Sequence, residues 1–162
     1  MEIQKISPFL WFKDNAADAA AFYVSVFKNS EEGTIVRYGQ EGAGIEGEVM
    51  VVTFKLEGVQ FTALNGNPQY QFSEATSFLI RCDTQEEIDY YWEKLSDGGS
   101  TMACGWLKDK FGVTWQICPP ILINNFEDDD RERATRVMKA MMTMVKFDLA
   151  KLEEAYNGTW NP

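Results

Sequence analysis

NAADAAAFYVSVF (15–27) and TQEEIDYYWEKL (84–95) are the two stretches that decide the fold. In the first, Ala19, Phe22, Tyr23, Val26 and Phe27 fall at i, i+3, i+4, i+7 and i+8, which is one face of an α-helix. In the second, Ile88, Tyr91, Trp92 and Leu95 repeat the spacing. They stand behind a Thr84-x-x-Glu87 capping box, whose hydroxyl and carboxylate satisfy the first free amides. A shift of 69 residues (88 − 19) lays Ala19 on Ile88, Phe22 on Tyr91, Tyr23 on Trp92 and Val26 on Leu95. The chain reads as an internal duplication.

The flanks repeat as well. Apolar strand-like runs precede the helices at 6–12 and 76–82. After the first helix come strand-like segments at 33–38, 49–56 and 59–64, the last two joined by a turn at Glu57-Gly58. After the second come shorter ones at 100–103, 105–109 and 113–117, with a turn at Phe111-Gly112. The reading is α+β: module one over 1–70, module two over 71–120, each βαβββ, and C-terminal helices over 121–162, all in a single domain spanning 1–162. Past Pro119-Pro120, Ala134, Val137, Met138, Met141 and Met142 mark one helix, and Leu149, Leu152 and Tyr156 mark another behind Asp148.

Composition narrows the function. With 45% apolar residues, 162 residues suffice for one core. A net charge of −10 repels nucleic-acid phosphates and anionic membranes, so neither is an expected partner. Three cysteines (Cys82, Cys104, Cys118) without a CxxC pair suit a reducing compartment, and a cytoplasmic protein is expected. Neither an export segment nor an apolar run long enough to span a membrane is expected. The chain has no histidine.

Paired βαβββ modules of this kind resemble the vicinal-oxygen-chelate superfamily of glyoxalase and bleomycin-resistance proteins. Within it, PFLWF (8–12), AAAFYVSVF (19–27), LNGNPQY (64–70), CGWLKDKFGVTWQICP (104–119) and RVMKAMMTM (136–144) resemble the PhnB-like, demethylubiquinone methyltransferase-like group. The resemblance implies a curved mixed sheet around a cleft and a homodimer, and by itself no reaction. It also implies four positions at which relatives hold a divalent metal through His and Glu. Here those positions carry Ser7, Thr62, Thr76 or Ser77, and Gln116. Neutral hydroxyls and amides are poor ligands for such a metal, so neither metal nor cofactor is expected. All four types are also ordinary strand residues.

Trp11, Tyr38, Asn65, Trp106 and Trp115 are candidate walls for a small-molecule pocket. Alternation sends Trp115 and Gln116 to opposite faces, so an inward Gln116 puts Trp115 under a helix. Cys104, near Lys108 and Lys110, is the one candidate nucleophile, with no imidazole to activate it. Asp128, Asp129 and Asp130 read as a solvated helix start. GAGIEG (42–47) matches GxGxxG but precedes a strand rather than opening a helix, so it reads as a loop able to lie over the cleft. Methyl transfer from S-adenosylmethionine is accordingly not expected. Met138, Met141 and Met142 read as an apolar stripe facing the sheet or a second subunit, with Met144 close behind.

Three functions follow as expectations. The chain is a metal-free module binding a small apolar or aromatic molecule, or a lyase or isomerase with an acquired metal or Cys104 chemistry, or a structural dimer partner.

Overall fold

Alternate residues of the inner strands are apolar and buried, Val52, Phe54 and Leu56 in one and Phe61 and Ala63 in the next, and this alternation gives the sheet a core face. The computed structural model describes residues 4–41, 44–66 and 69–161. The chain forms two compact units, Met1–Phe72 and Ser73–Pro162.

The first unit runs β1 (Phe9–Phe12), α1 (Ala16–Val26), β2 (Ser30–Arg37), β3 (Val49–Leu56) and β4 (Val59–Asn65). The sheet order is β1-β4-β3-β2, with β1 parallel to β4 and the other pairs antiparallel. Leu10, Phe12, Val52, Phe54, Phe61 and Ala63 are buried on the helix side, against Ala16, Ala19, Ala20, Tyr23 and Val26 of α1. Tyr23 stacks on Phe54, and Phe54 on Phe61, with centroids 5.9 and 5.3 Å apart. The opposite face carries Phe9, Trp11, Val51, Thr53, Thr62 and Leu64, paired across β1, β4 and β3. Glu57 and Gly58 turn β3 into β4 with φ of 49° and 79°, a left-handed pair that suits a two-residue hairpin.

The second unit repeats this order as β5 (Phe78–Arg81), α2 (Gln85–Ser96), β6 (Ser100–Thr101), β7 (Trp106–Lys108) and β8 (Thr114–Cys118). Its sheet runs β5-β8-β7-β6, again with only the first pair parallel. Thr84 Oγ1 accepts from Glu87 N (3.2 Å), while the Glu87 carboxylate accepts from Asp83 N (2.7 Å), one residue earlier than a standard capping box. The α+β class and both βαβββ units are as the sequence implied.

The boundaries differ where proline or a turn intervenes. Both first strands start late, at Phe9 and Phe78. Ser7 precedes Pro8, which lacks an N–H for the ladder, and Thr76 lies in a turn closed by Thr76 N to Ser73 O (3.3 Å). The expected strand at 33–38 begins three residues earlier, at Ser30, and is exposed along nearly its whole length.

Three helices follow: α3 (Pro120–Asn125), α4 (Arg131–Met141) and α5 (Leu149–Asn157). The sequence reading missed α3, because Pro119-Pro120 signals a break, yet proline is compatible with a first helical turn. These helices pack on their own unit. Cys104 N and Gly105 N donate to Met144 O and Val145 O, and Gln85 bonds both Phe147 O and Leu149 N. The Phe147 ring lies against Gly105, where a side chain would collide with it. The methionine stripe needs correcting: α4 ends at Met141, so Met142 falls on the turn and is 65% exposed, while Met144 folds back and is buried. Asp130 caps α4 as expected, but Asp128 is not simply solvated. It forms a two-pronged pair with Arg133 (2.6 and 2.7 Å), which holds its carboxyl down at about 2.

Candidate functional site

Sheet register decides which predicted site residues share a face. Phe9 pairs with Thr62 and Leu79 with Gln116, so Thr62 and Gln116 are equivalent, and two residues before each partner stand Ser7 and Ser77. Between Thr76 and Ser77, the structure therefore matches Ser77 to Ser7.

In the second unit this geometry brings residues together. Gln116 Nε2 donates to Ser77 Oγ at 2.7 Å. Trp106 lies directly across from Gln116 on β7, and Leu79 directly across on β5, so all three sit on one face. That face is opposite the helix: Leu107, Trp115 and Ile117 are buried against α2, as the alternation required of Trp115. Leu79 is 50% exposed, and Gln116 and Trp106 are half-buried. Among the described residues nothing donates to Gln116 Oε1 or accepts the Ser77 hydroxyl proton. The pair thus offers one acceptor and one donor side by side.

A buried carboxylate holds this face in position. Asp109 accepts from Phe111 N and Val113 N (2.9 and 3.0 Å) through Oδ1, and from Trp115 Nε1 (2.8 Å) through Oδ2. The β7–β8 turn and the first residues of β8 are fixed together, and with them the aim of Gln116. Sequence reasoning missed this role. Its signal was the DKFG turn (109–112), an Asp at the head of a tight turn.

In the first unit, Ser7 is exposed outside β1, and no hydrogen bond joins its side chain to Thr62. Trp11 is more than one-third exposed and packs on Tyr70 at 4.9 Å. Tyr38 and Asn65 do meet, at a cleft of about 610 Å³ also lined by Lys13, Asp14, Asn15, Asp18 and Glu48. Their polar atoms are already committed. Tyr38 OH donates to Asn65 O (2.8 Å), Asn65 Oδ1 accepts from Ala16 N (2.8 Å), and Asn65 Nδ2 donates to Val49 O (3.0 Å). Asn65 is a strut that caps α1, a task the sequence reading gave to no residue outside the helix.

Cys104 adopts φ 61° in the β6–β7 turn, with Sγ 3.8 Å from both Met141 O and Met142 Sδ. The expected lysines are engaged elsewhere: Lys108 pairs with Glu74, and Lys110 lies over the Phe111 ring. Burial pushes the Cys82 thiol up to about 12 and Cys118 to about 11, so neither supplies thiolate near neutrality. Of the GxGxxG match, Gly42 and Ala43 lie outside the described residues. The remainder connects β2 to β3, where Tyr38 N donates to Glu48 O and Gly47 N to Tyr38 O (both 2.9 Å). Among the described residues no helix begins there to receive a phosphate.

Two units of this topology, each a parallel β1–β4-type pair extended by antiparallel strands, define a vicinal-oxygen-chelate protein. The chain belongs to the PhnB-like family described as 3-demethylubiquinone-9 3-methyltransferase, whose model matches residues 4–118. It is 38% identical to a Bacillus cereus PhnB protein, described as a candidate 3-demethylubiquinone-9 3-methyltransferase, covering 72% of this chain and 99% of that one with a TM-score of 0.66. Protein PA1353 from Pseudomonas aeruginosa is 19% identical over 72% and 98% of the two chains, with a TM-score of 0.60. A mutant of the Listeria monocytogenes fosfomycin resistance protein FosX, solved with Mn(II) and 1S,2S-dihydroxypropylphosphonic acid, is 18% identical over 70% and 90%, with a TM-score of 0.50. The last two likenesses concern the fold alone. A search of curated sequences finds no match.

The superfamily's divalent metal does not fit the residues at these positions. Ser7 is separated from its strand, Thr62 offers one hydroxyl, and Ser77 and Gln116 are bonded to each other, with no anionic donor among the four.

Proposed function

We propose that this protein binds a small organic molecule by direct hydrogen bonds on the open face of its second unit, without a protein-held metal. The observation that carries the reading is the Gln116–Ser77 bond. It leaves an adjacent acceptor and donor, Gln116 Oε1 and Ser77 O–H, pointing to no other described group. Trp106 and Leu79 flank them with apolar surface. A primary amide, a lactam or a hydroxy-ketone matches this pattern, because each presents a donor and an acceptor on neighbouring atoms. The first-unit cleft supports the reading less, since the polar atoms of Tyr38 and Asn65 are spent on backbone. Ser7, Trp11, Thr62 and Thr76 remain candidate contacts of secondary weight.

The family description names a methyl transfer, and this reading assigns the chain none: the described part of the glycine motif lies in a hairpin. The two units act as one domain in a cytoplasmic homodimer, a reading supported by the superfamily resemblance and by the lack, among the described residues, of any helix long and apolar enough to cross a membrane.

The test is a side-chain amide NMR titration with benzamide, combined with a melting scan against Mn(II), Ni(II) and Zn(II). Benzamide is expected to shift the Gln116 side-chain resonance, an effect lost in Gln116→Ala, and the metals are expected to leave the melting temperature unmoved. Stoichiometric metal retention abolished by Gln116→Ala would overturn the proposal in favour of a metal-dependent lyase or isomerase. Light scattering on the same samples reads the dimer, and a monomer would remove that part.

A further inference from the structure

The open face of the second unit carries a charge beside the polar pair. Lys108 lies directly across from Thr114, two positions along β8 from Gln116, and its ammonium is held by the Glu74 carboxylate. Glu74 comes from the turn that leads into β5, three residues before Ser77. The two side chains are 30% and 51% exposed, so this is an ion pair in contact with solvent, and such pairs contribute little and exchange readily. Thr114, across from Lys108, is only 1% exposed, and among the described residues its Oγ1 has no hydrogen-bond partner. The Lys108 end of the face therefore offers a weakly held, partly exposed cation, with the Thr114 hydroxyl buried beneath it.

Resting on the binding reading above, we infer that Glu74 is the internal occupant of an anion subsite centred on Lys108, and that the ligand carries a carboxylate which displaces it. The ligand's polar head sits at Gln116 and Ser77 and its apolar body lies along Trp106 and Leu79. Its carboxylate reaches Lys108, the diagonal neighbour of Gln116 across β7 and β8, whose backbone lies about 8 Å away. The subsite selects for charge: a neutral analogue occupies the head position and leaves the Glu74–Lys108 pair intact. Glu74 also keeps Lys108 neutralised when no ligand is bound.

4-Carbamoylbenzoate and benzamide form the probe pair, since both carry the amide head and only the first carries a carboxylate across the ring. Binding is measured by calorimetry and by the Gln116 side-chain resonance, in wild type, Glu74→Gln and Lys108→Met, with backbone amide spectra confirming the fold. In wild type, 4-carbamoylbenzoate is expected to bind more tightly than benzamide. Glu74→Gln is expected to raise its affinity by up to about fivefold, the scale of one exposed ion pair, and to leave benzamide unchanged. Lys108→Met is expected to erase the difference between the probes. An affinity ratio that is the same in all three proteins, or a loss of affinity in Glu74→Gln, would sink the inference. The underlying reading fails separately if benzamide leaves Gln116 unmoved while the carboxylate probe still responds to both variants. Failure of both probes to bind any of the three proteins overturns both.

Discussion

The two units share one topology and differ in what they place on the sheet face turned away from the helix. In the first, that face shows Phe9, 60% exposed, with Trp11, Val51 and Leu64, and at the position equivalent to Gln116 it has Thr62. A threonine side chain is too short to reach a residue on the far side of the neighbouring strand end, and Thr62 and Ser7 remain unconnected. In the second, glutamine is long enough and meets Ser77. Duplication supplied the same register twice, and two side-chain lengths made one copy apolar and the other a hydrogen-bonding surface. The units also differ in how their last hairpin is held. Glu57-Gly58 turns on left-handed backbone, with Glu57 tied to Asn29 through its N–H (2.7 Å) and, at an exposed 3.3 Å, through its carboxylate, whereas the β7–β8 turn is organised around the buried Asp109.

The largest break in this comparison is expected at those hairpins. Asp109→Ala strands two backbone N–H groups and the Trp115 indole N–H in a buried setting, a loss of about 3 kcal/mol or more by urea unfolding. Glu57→Gly relieves a left-handed non-glycine residue but gives up the exposed hydrogen bond from Asn29 N to the Glu57 carboxylate (3.3 Å), and is expected to leave stability within about 1 kcal/mol of wild type. Equal losses at both positions would refute the distinction. Removal of residues 121–162 is next. It takes away the carbonyls that hold Cys104 and Gly105 and the ring that covers Gly105, so the truncated chain is expected to aggregate on a sizing column, with amide signals of the second unit lost first. A soluble, folded, dimeric truncation would contradict both the packing and the expectation that these helices matter to assembly.

A smaller effect separates the equivalent positions. Gln116→Ala is expected to weaken benzamide binding at least tenfold, and Thr62→Ala to leave it unchanged, because only the former removes a hydrogen-bonding group placed beside a second one. Equal effects in one titration series would mean that both faces contribute to a single site.

The duplication was legible because it rests on helical periodicity, which survives divergence: Ile88 and Leu95 are buried as Ala19 and Val26 are, while between them burial falls on Tyr23 in the first helix and on Tyr91 in the second, one position out of the 69-residue shift. The opposition of Trp115 and Gln116 was legible for a similar reason, since strand alternation admits no other arrangement. The strand ends were not, because Pro8 and the turn at 73–76 act through backbone geometry that apolar content does not report. Nor was the commitment of Asn65, whose partners Ala16 and Val49 lie 49 and 16 residues away in the chain. The Lys108–Glu74 pair was hidden similarly, since a linker glutamate has no local signature. Composition gave the exclusion of a histidine-held metal without any structure, while the choice of Ser77 over Thr76 needed the register.

The faintest expected contrast concerns pH, and it arises because all three cysteines lie in the second unit. Burial raises Cys82 and Cys118 above the ordinary thiol value, to about 12 and about 11, and for Cys82 the neighbouring Glu87 adds to the effect. A raised pKa means that the folded state favours the neutral thiol. The associated stability is complete below the unfolded thiol pKa near 9 and is lost as pH climbs toward the folded values. Unfolding between pH 9 and 11, followed by tryptophan fluorescence, is therefore expected to become easier in wild type. In Cys82→Ala the slope is expected to be shallower, since one of the two responsible groups is gone. Below pH 8 the two proteins are expected to differ by a pH-independent offset from the lost side chain, as no thiol in that pair titrates there. Parallel curves from pH 7 to 11 would show that the second unit's core does not hold its thiols against ionisation, and would remove burial of the thiol as a difference between the units.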